Sequence, residues 1–196
     1  MKVIRPSASA AAKATALLKK GGVVICQTDT VYGFLADATN KKAVDKIYKI
    51  KKRPKSKPLP VFVKDFKMAR ELAEIDGHQA KILKKFWPGK HTFILRRKKM
   101  DVGRPISLLY GVDKGTIALR IPKHLFLQKL LKKVNRPLAQ TSVNISTQEP
   151  LKNKEAILAA FGKNKLVGLI IDGGKAKNGK PSKIIDLSNG KLTTIR

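Results

Sequence analysis

The chain is short of several things, and each shortage removes a class of protein. It holds one cysteine, Cys26, which excludes an internal disulfide framework and any zinc site built on a cysteine cluster. Its three histidines, His78, His91 and His124, show no metal-ligand spacing and support no Ser-His-Asp arrangement. Acidic residues are few: 13 Asp and Glu stand against 43 Lys and Arg, a formal charge of +30. Aromatic residues make up 6% of the chain and are not interleaved with the basic ones, so base-stacking platforms are not evident. No apolar run approaches the roughly 18–20 residues that cross a bilayer. The stretch "SASAAAKATALL" is interrupted by Lys13 and stopped by Gly21-Gly22, so it reads as a capped helix rather than an export signal. These absences place the expected chain in the cytoplasm, away from membranes.

What is present is ordinary except for the charge. A length of 196 residues with 42% hydrophobic content predicts one domain, 1–196, large enough to bury a substantial core. A field this positive attracts polyanions such as nucleotides, RNA or anionic membranes. A bias of the source towards lysine, spread over a solvated surface, explains it equally well, so the charge specifies no partner.

Punctuation divides the chain into alternating elements. Helices are predicted over Ser7–Lys20, after Asn40 in "KKAVDKIYKIKK", from Asp65 to about Ala73, over Asp76–Phe86, in "HLFLQKLLKKV" and over Lys154–Phe161. Strands are predicted at Val23–Gln27, "LPVFV", "HTFILRR", "TIALRI", "RPLAQTSVN", "LVGLIID", "SKIIDLS" and "KLTTI", the last pair joined by an Asn-Gly turn. Early alternation with late hairpins favours an α/β fold with a mixed parallel and antiparallel sheet. "RRKKMDVGRP" and "GGKAKNGKPS" read as mobile loops.

Three strands end in short polar side chains: Thr28-Asp29-Thr30, Thr141-Ser142-Val143-Asn144, and Ser182 before "KIIDL". Ligands of open α/β sheets bind where strand ends and loops converge, although the same residue types also build turns and caps. Beside them stands a basic loop, "KIKKRPKSKP", with six Lys and Arg and two prolines. On the helix predicted in "KKAVDKIYKIKK" the apolar stripe Val44, Ile47, Tyr48 ends in Lys51. Lys51 and Arg53 converge if the helix stops between them, pairing a mobile point charge with a planar fork suited to phosphate or carboxylate. Gly174–Lys180 has the spacing of a phosphate-binding loop, but Pro181 stands where Ser or Thr is required and a strand follows where a helix is required.

Taken in order, these pieces resemble the YrdC family of threonylcarbamoyl-AMP synthases. "TDTVYGFLAD" is similar to that family's opening motif, "KKRPKSKPL" to its K-x-R-P loop, and "WPGKHTFIL" to its W-P-G strand. "TIALRIPKH" resembles its R-x-P strand, "TSVNIS" its T-S-A-N-x-S segment, and "PSKIIDL" its P-S-T-I-V-D segment. The resemblance runs collinearly from about Ala14 to Arg196. It implies a twisted mixed sheet flanked by helices around a large basic cavity. It also implies a nucleotidyltransferase that makes threonylcarbamoyl-AMP and pyrophosphate from L-threonine, bicarbonate and ATP with Mg2+. Proteins of tRNA threonylcarbamoyl transfer would then use the product to modify tRNA. By motif position, Lys51, Arg53, Ser142 and Asn144 form the implied catalytic group. Thr30, Arg120, Ser142 and Ser182 would face threonine, while Arg53, Lys57, Thr116, Asn144 and Arg196 would face ATP.

The chain departs from the family pattern at Phe62, where some relatives carry a histidine, at Val143 for Ala, at Thr147 for Gly and at Lys183 for Thr. Two other readings compete. A basic RNA-binding or ribosome-maturation factor without enzymatic activity accounts for the charge, and weak RNA or tRNA binding is compatible with either reading. A carbamoyl-transfer domain of the hydrogenase-maturation type resembles the same fold, but carries cysteine-rich segments that this chain lacks.

Overall fold

A computed structural model describes residues 1–99, 108–176 and 179–195. The strands are β1 Lys2–Ile4, β2 Val23–Gln27, β3 Tyr32–Asp37, β4 Val61–Phe62, β5 His91–Arg96, β6 Thr116–Arg120, β7 Leu138–Ser142, β8 Val167–Ile171, β9 Lys183–Asp186 and β10 Thr193–Thr194. The helices are α1 Ala8–Lys19, α2 Lys41–Lys51, α3 Phe66–Leu72, α4 Gly77–Phe86, α5 Leu125–Val134 and α6 Lys154–Phe161. The described strands form one sheet in the order β1-β8-β2-β3-β7-β4-β6-β5-β9-β10. Pairing is parallel at β1–β8, β2–β8, β4–β6 and β5–β9, and antiparallel at β2–β3, β3–β7, β4–β7, β5–β6 and β9–β10.

The helices start where side chains can satisfy the free N–H groups of their first turns. Ser7, Asn40, Asp65 and Asn153 each accept a backbone N–H from three residues on, at 2.8–3.1 Å. Asp76 and Gln79 exchange bonds in a capping box. Helix α2 stops at Lys52, whose φ of 49° is left-handed, so the chain turns between Lys51 and Arg53, which is the condition for the two to converge.

Two strands were not legible in the sequence. β1 is a three-residue edge strand. β3 was hidden for a different reason: all six of its residues are buried, so the alternation that marks a strand with one wet face is missing. Its presence moves hairpin pairing to the start of the chain as well as the end, since β2 runs directly into β3. "LPVFV" yields only the two residues of β4, because Pro60 cannot donate to a ladder.

One face of the sheet is covered along its length. Phe34, Val61, Phe93, Leu95, Ile117, Leu119 and Ile185 pack there with residues of α2, α3, α4 and α6. The other face is covered in part. Val24, Cys26, Leu35, Phe62, Leu138, Leu169 and Ile171 pack against α1 and α5. Beyond Phe62 and Leu138 the same face carries Gln140 and Ser142 on β7, Arg120, Ala118 and Thr116 on β6, Ile94 on β5, and Ile184 and Ser182 at β9. All of these line a cavity of about 400 Å³, within the usual size range of small-molecule sites. The site exists because two helices cover one end of this face and not the other.

Candidate active site

Lys51 is the last residue of α2 and is 2% exposed. The amphipathic helix drives it inward behind Val44, Ile47 and Tyr48, which are all buried. Its ammonium donates to Ser142 O at 2.7 Å, Asn144 O at 3.0 Å and Asn144 Oδ1 at 2.6 Å. Three N–H bonds thus meet three acceptors. Burial, reinforced by the charge of Arg53, pulls its pKa down from 10.5 to about 7. The backbone closes the same junction, with Ser146 N donating to Lys51 O at 2.8 Å.

Arg53 lines the cavity. Its Nε donates to Lys57 O at 3.1 Å and its Nη2 to Pro58 O at 3.0 Å, so the prolines of the loop fix the plane of the guanidinium. Lys57 enters the site differently from the expectation. Its side chain is exposed and absent from the cavity wall, while its carbonyl also accepts from Tyr48 Oη at 3.1 Å. Lys57 therefore shapes the loop through its backbone.

Thr30 sits in the turn between β2 and β3. Thr28 Oγ1 donates to Val31 O at 2.7 Å, so its 2.9 Å contact with Thr30 Oγ1 must be donated by Thr30. Arg120 Nη1 donates to the same Thr30 oxygen at 3.3 Å. Ser142 Oγ spends its proton on Asn144 Oδ1 at 2.7 Å. The hydroxyls of Thr30 and Ser142 are thus both oriented to accept, which suits an incoming N–H donor.

Arg120 is 1% exposed and pairs with Asp29, itself 7% exposed. Its Nε donates to Gly89 O at 2.9 Å, and its guanidinium lies 5.4 Å from the Phe62 ring centre. Gly89 is required there: a Cβ would fall 2.2 Å from Phe86 O. Burial lowers the pKa of Arg120, and the Asp29 carboxylate opposes that shift. Asp29 also accepts from Lys123 N at 2.9 Å, tying the first motif of the chain to the end of β6.

The opposite wall carries Thr116, whose Oγ1 donates to Asp113 Oδ1 at 3.2 Å. The hydroxyl of Ser182 accepts from Thr92 Oγ1 at 3.0 Å. The structure brings Thr30, Lys51, Arg53, Thr116, Arg120, Ser142, Asn144 and Ser182 to one cavity. Arg196 lies outside the described residues, as do 100–107 and 177–178, which overlap the two segments read as mobile loops. Sequence reasoning missed Asp29 as the partner of Arg120, and missed Gln140 on the cavity floor. A lone amide inside the otherwise apolar "PLAQT" was the available signal for Gln140.

The described lining carries three basic side chains, Lys51, Arg53 and Arg120, and one carboxylate, Asp113. Among the described residues no group of three or more His, Cys, Asp or Glu could hold a metal ion, and no helix is long and apolar enough to cross a membrane. A cavity so lined has the charge and size to suit small anionic molecules. A family model named Sua5_yciO_yrdC and described as "Telomere recombination" matches residues 16–196. The chain belongs to the Sua5/YciO/YrdC family.

A protein of Methanocaldococcus jannaschii, provisionally named threonylcarbamoyl-AMP synthase, is 39% identical over 176 residues, 90% of this chain and 79% of that one. Threonylcarbamoyl-AMP synthase of Pyrococcus abyssi is 34% identical over 185 residues, 93% of this chain and 52% of that protein. The crystal structure of P. abyssi Sua5 complexed with L-threonine matches with a TM-score of 0.84 at 32% identity, over 100% of this chain and 56% of that one. E. coli YciO matches with a TM-score of 0.84 at 27% identity, over 100% of this chain and 93% of that one. The chain thus spans about half the length of the Pyrococcus relatives.

Proposed function

We propose that this chain is a nucleotidyltransferase that makes threonylcarbamoyl-AMP and pyrophosphate from L-threonine, bicarbonate and ATP, for threonylcarbamoyl modification of tRNA. The observation that carries the reading is the convergence of Lys51, Arg53, Ser142 and Asn144 with the Thr30–Arg120 wall in one cavity. Relatives at 30–39% identity named for this activity support it, as does a threonine-bound structure of the same fold.

The reaction needs no protein nucleophile. The threonine amine takes up bicarbonate to give a carbamate and water. A carbamate oxygen then attacks the α-phosphorus of ATP, the bond to the bridging oxygen of the β-phosphate breaks, and pyrophosphate leaves. Catalysis here is positioning and charge neutralisation. Arg120, held by Asp29, faces the threonine carboxylate, and Thr30 and Ser142 accept from its amine. Arg53 meets the phosphates and the carbamate. Lys51 organises Ser142 and Asn144 and, in its protonated form, adds positive charge to the site. Thr116 lies on the nucleotide side, and Ser182 on the threonine side. Mg2+ arrives with ATP as part of the substrate.

Incubation with MgATP, bicarbonate and single amino acids tests this reading. Pyrophosphate release that depends on L-threonine is the expected result; release indifferent to threonine contradicts it. The charge of +30 also supports weak tRNA binding beside turnover. Binding with a steep salt dependence and no turnover would instead favour a non-enzymatic RNA-binding factor.

A further inference from the structure

We infer that Gln140 selects the amino acid by its side chain, its amide bonding the β-hydroxyl of L-threonine. The inference rests on the amino-acid site proposed above and names the residue that reads the substrate there.

Gln140 is 8% exposed and points from the middle of β7 into the cavity. Its backbone N–H is satisfied by Pro60 O at 2.8 Å, but its side-chain amide has no hydrogen-bond partner among the described residues. Gln79 shows what a buried glutamine does when its role is structural. It is 7% exposed, donates from Nε2 to Leu187 O at 2.9 Å and accepts at Oε1 from Asp76 N at 3.1 Å. The Gln140 amide is not sealed in the core, where Thr15 Oγ1 is the one unbonded side-chain atom among the described residues; it opens on the cavity. An amide that faces a cavity with both its donor and its acceptor uncommitted is available to a ligand.

Its neighbours say which part of the ligand. A Cβ added at Gly33 would lie 3.1 Å from Gln140 Nε2 and 3.5 Å from Thr28 Cγ2. The amide thus occupies space that Gly33 leaves open, beside the Thr28–Thr30 turn and on the Arg120 side of the site. There the charged and polar groups of an amino-acid backbone are already provided for. Arg120 suits the carboxylate, and the acceptor hydroxyls of Thr30 and Ser142 suit the amine. What remains is the substrate side chain. It meets one uncommitted amide in a cavity whose lining includes the small apolar surfaces of Val31 and Ala118. A side chain with one hydroxyl and one methyl fits that pairing.

The test compares L-threonine with L-valine, which has the same shape with a methyl in place of the hydroxyl. Amino-acid-dependent pyrophosphate release is measured with MgATP and bicarbonate for wild type and Gln140→Met. A pocket that bonds a hydroxyl rejects the analogue lacking it far better than an apolar pocket separates the two. Wild type should prefer threonine in kcat/KM by about 100-fold or more, and Gln140→Met by less than about 10-fold, with valine turnover undiminished. Gln140→Ala, which cannot overfill the site, should lose the preference in the same way, and thermal melting checks that both variants fold. An unchanged preference in a folded variant overturns the inference. So does an equal loss for threonine and valine, which would mean the amide serves a group common to both. A wild type that releases no pyrophosphate with threonine overturns the functional reading itself, and this inference with it.

Discussion

Lys51 and Asp29 are the residues on which the geometry places most weight. Lys51 has a folded-state pKa of about 7 against an ordinary 10.5. Because the folded value is the lower one, the unfolded chain binds more protons between them, and stability rises with pH across that window. Urea unfolding of wild type should therefore show a gain from pH 7 to pH 10 that shrinks in Lys51→Met, while at pH 6, where the ammonium is intact, the variant loses about 1–3 kcal/mol because Ser142 O and Asn144 O lose its bonds. A pH dependence unaltered in the variant would contradict that assignment. Asp29 pairs with Arg120 where neither is appreciably exposed. Asp29→Asn should cost about 3–5 kcal/mol in chemical denaturation, since it strands a buried charge. A loss under about 1 kcal/mol would show that the guanidinium is solvated. The sequence made the cation visible through its motif and left its partner hidden, because the two stand ninety-one residues apart and only the fold joins them.

At the scale of elements, most of what positions the site could be read from punctuation. Asn40, Asp65 and Asp76 announced their helices, and the left-handed Lys52 confirms the turn that separates Lys51 from Arg53. β3 could not be read, because burial on both faces erases the period-two pattern. The segment after β7 carries a local conflict. Thr147 adopts a φ of 77°, a region that β-branched residues avoid, at the position where the family pattern has glycine. The backbone keeps the glycine conformation although the side chain opposes it. Left-handed backbone costs a residue with a Cβ about 1–2 kcal/mol, offset in part by the greater unfolded-state freedom of glycine. Thr147→Gly should raise stability by about 0.5–1 kcal/mol in thermal or urea unfolding. A destabilised variant would mean that the Thr147 hydroxyl, which donates to Ser146 O, outweighs the strain.

For the whole molecule, one topological fact explains why there is a site. α1 and α5 cover one end of a sheet face whose other end, from β7 to β9, stays open. Strand alternation then dictates that Gln140, Ser142, Ala118, Arg120 and Ile94 share that open end. No single segment of the sequence shows this, since it depends on the order in which distant strands pair. The charge of +30 was plain from the start and remained uninformative about chemistry, because the specific cations are three residues placed by the fold. The most direct test supplies labelled bicarbonate with L-threonine and MgATP and follows label into a nucleotide product, with Arg53→Ala as control. We predict label in threonylcarbamoyl-AMP for wild type, and none for an Arg53→Ala protein that melts close to the wild-type temperature. Threonine-independent pyrophosphate release without labelled adenylate, or full activity in Arg53→Ala, would contradict the account.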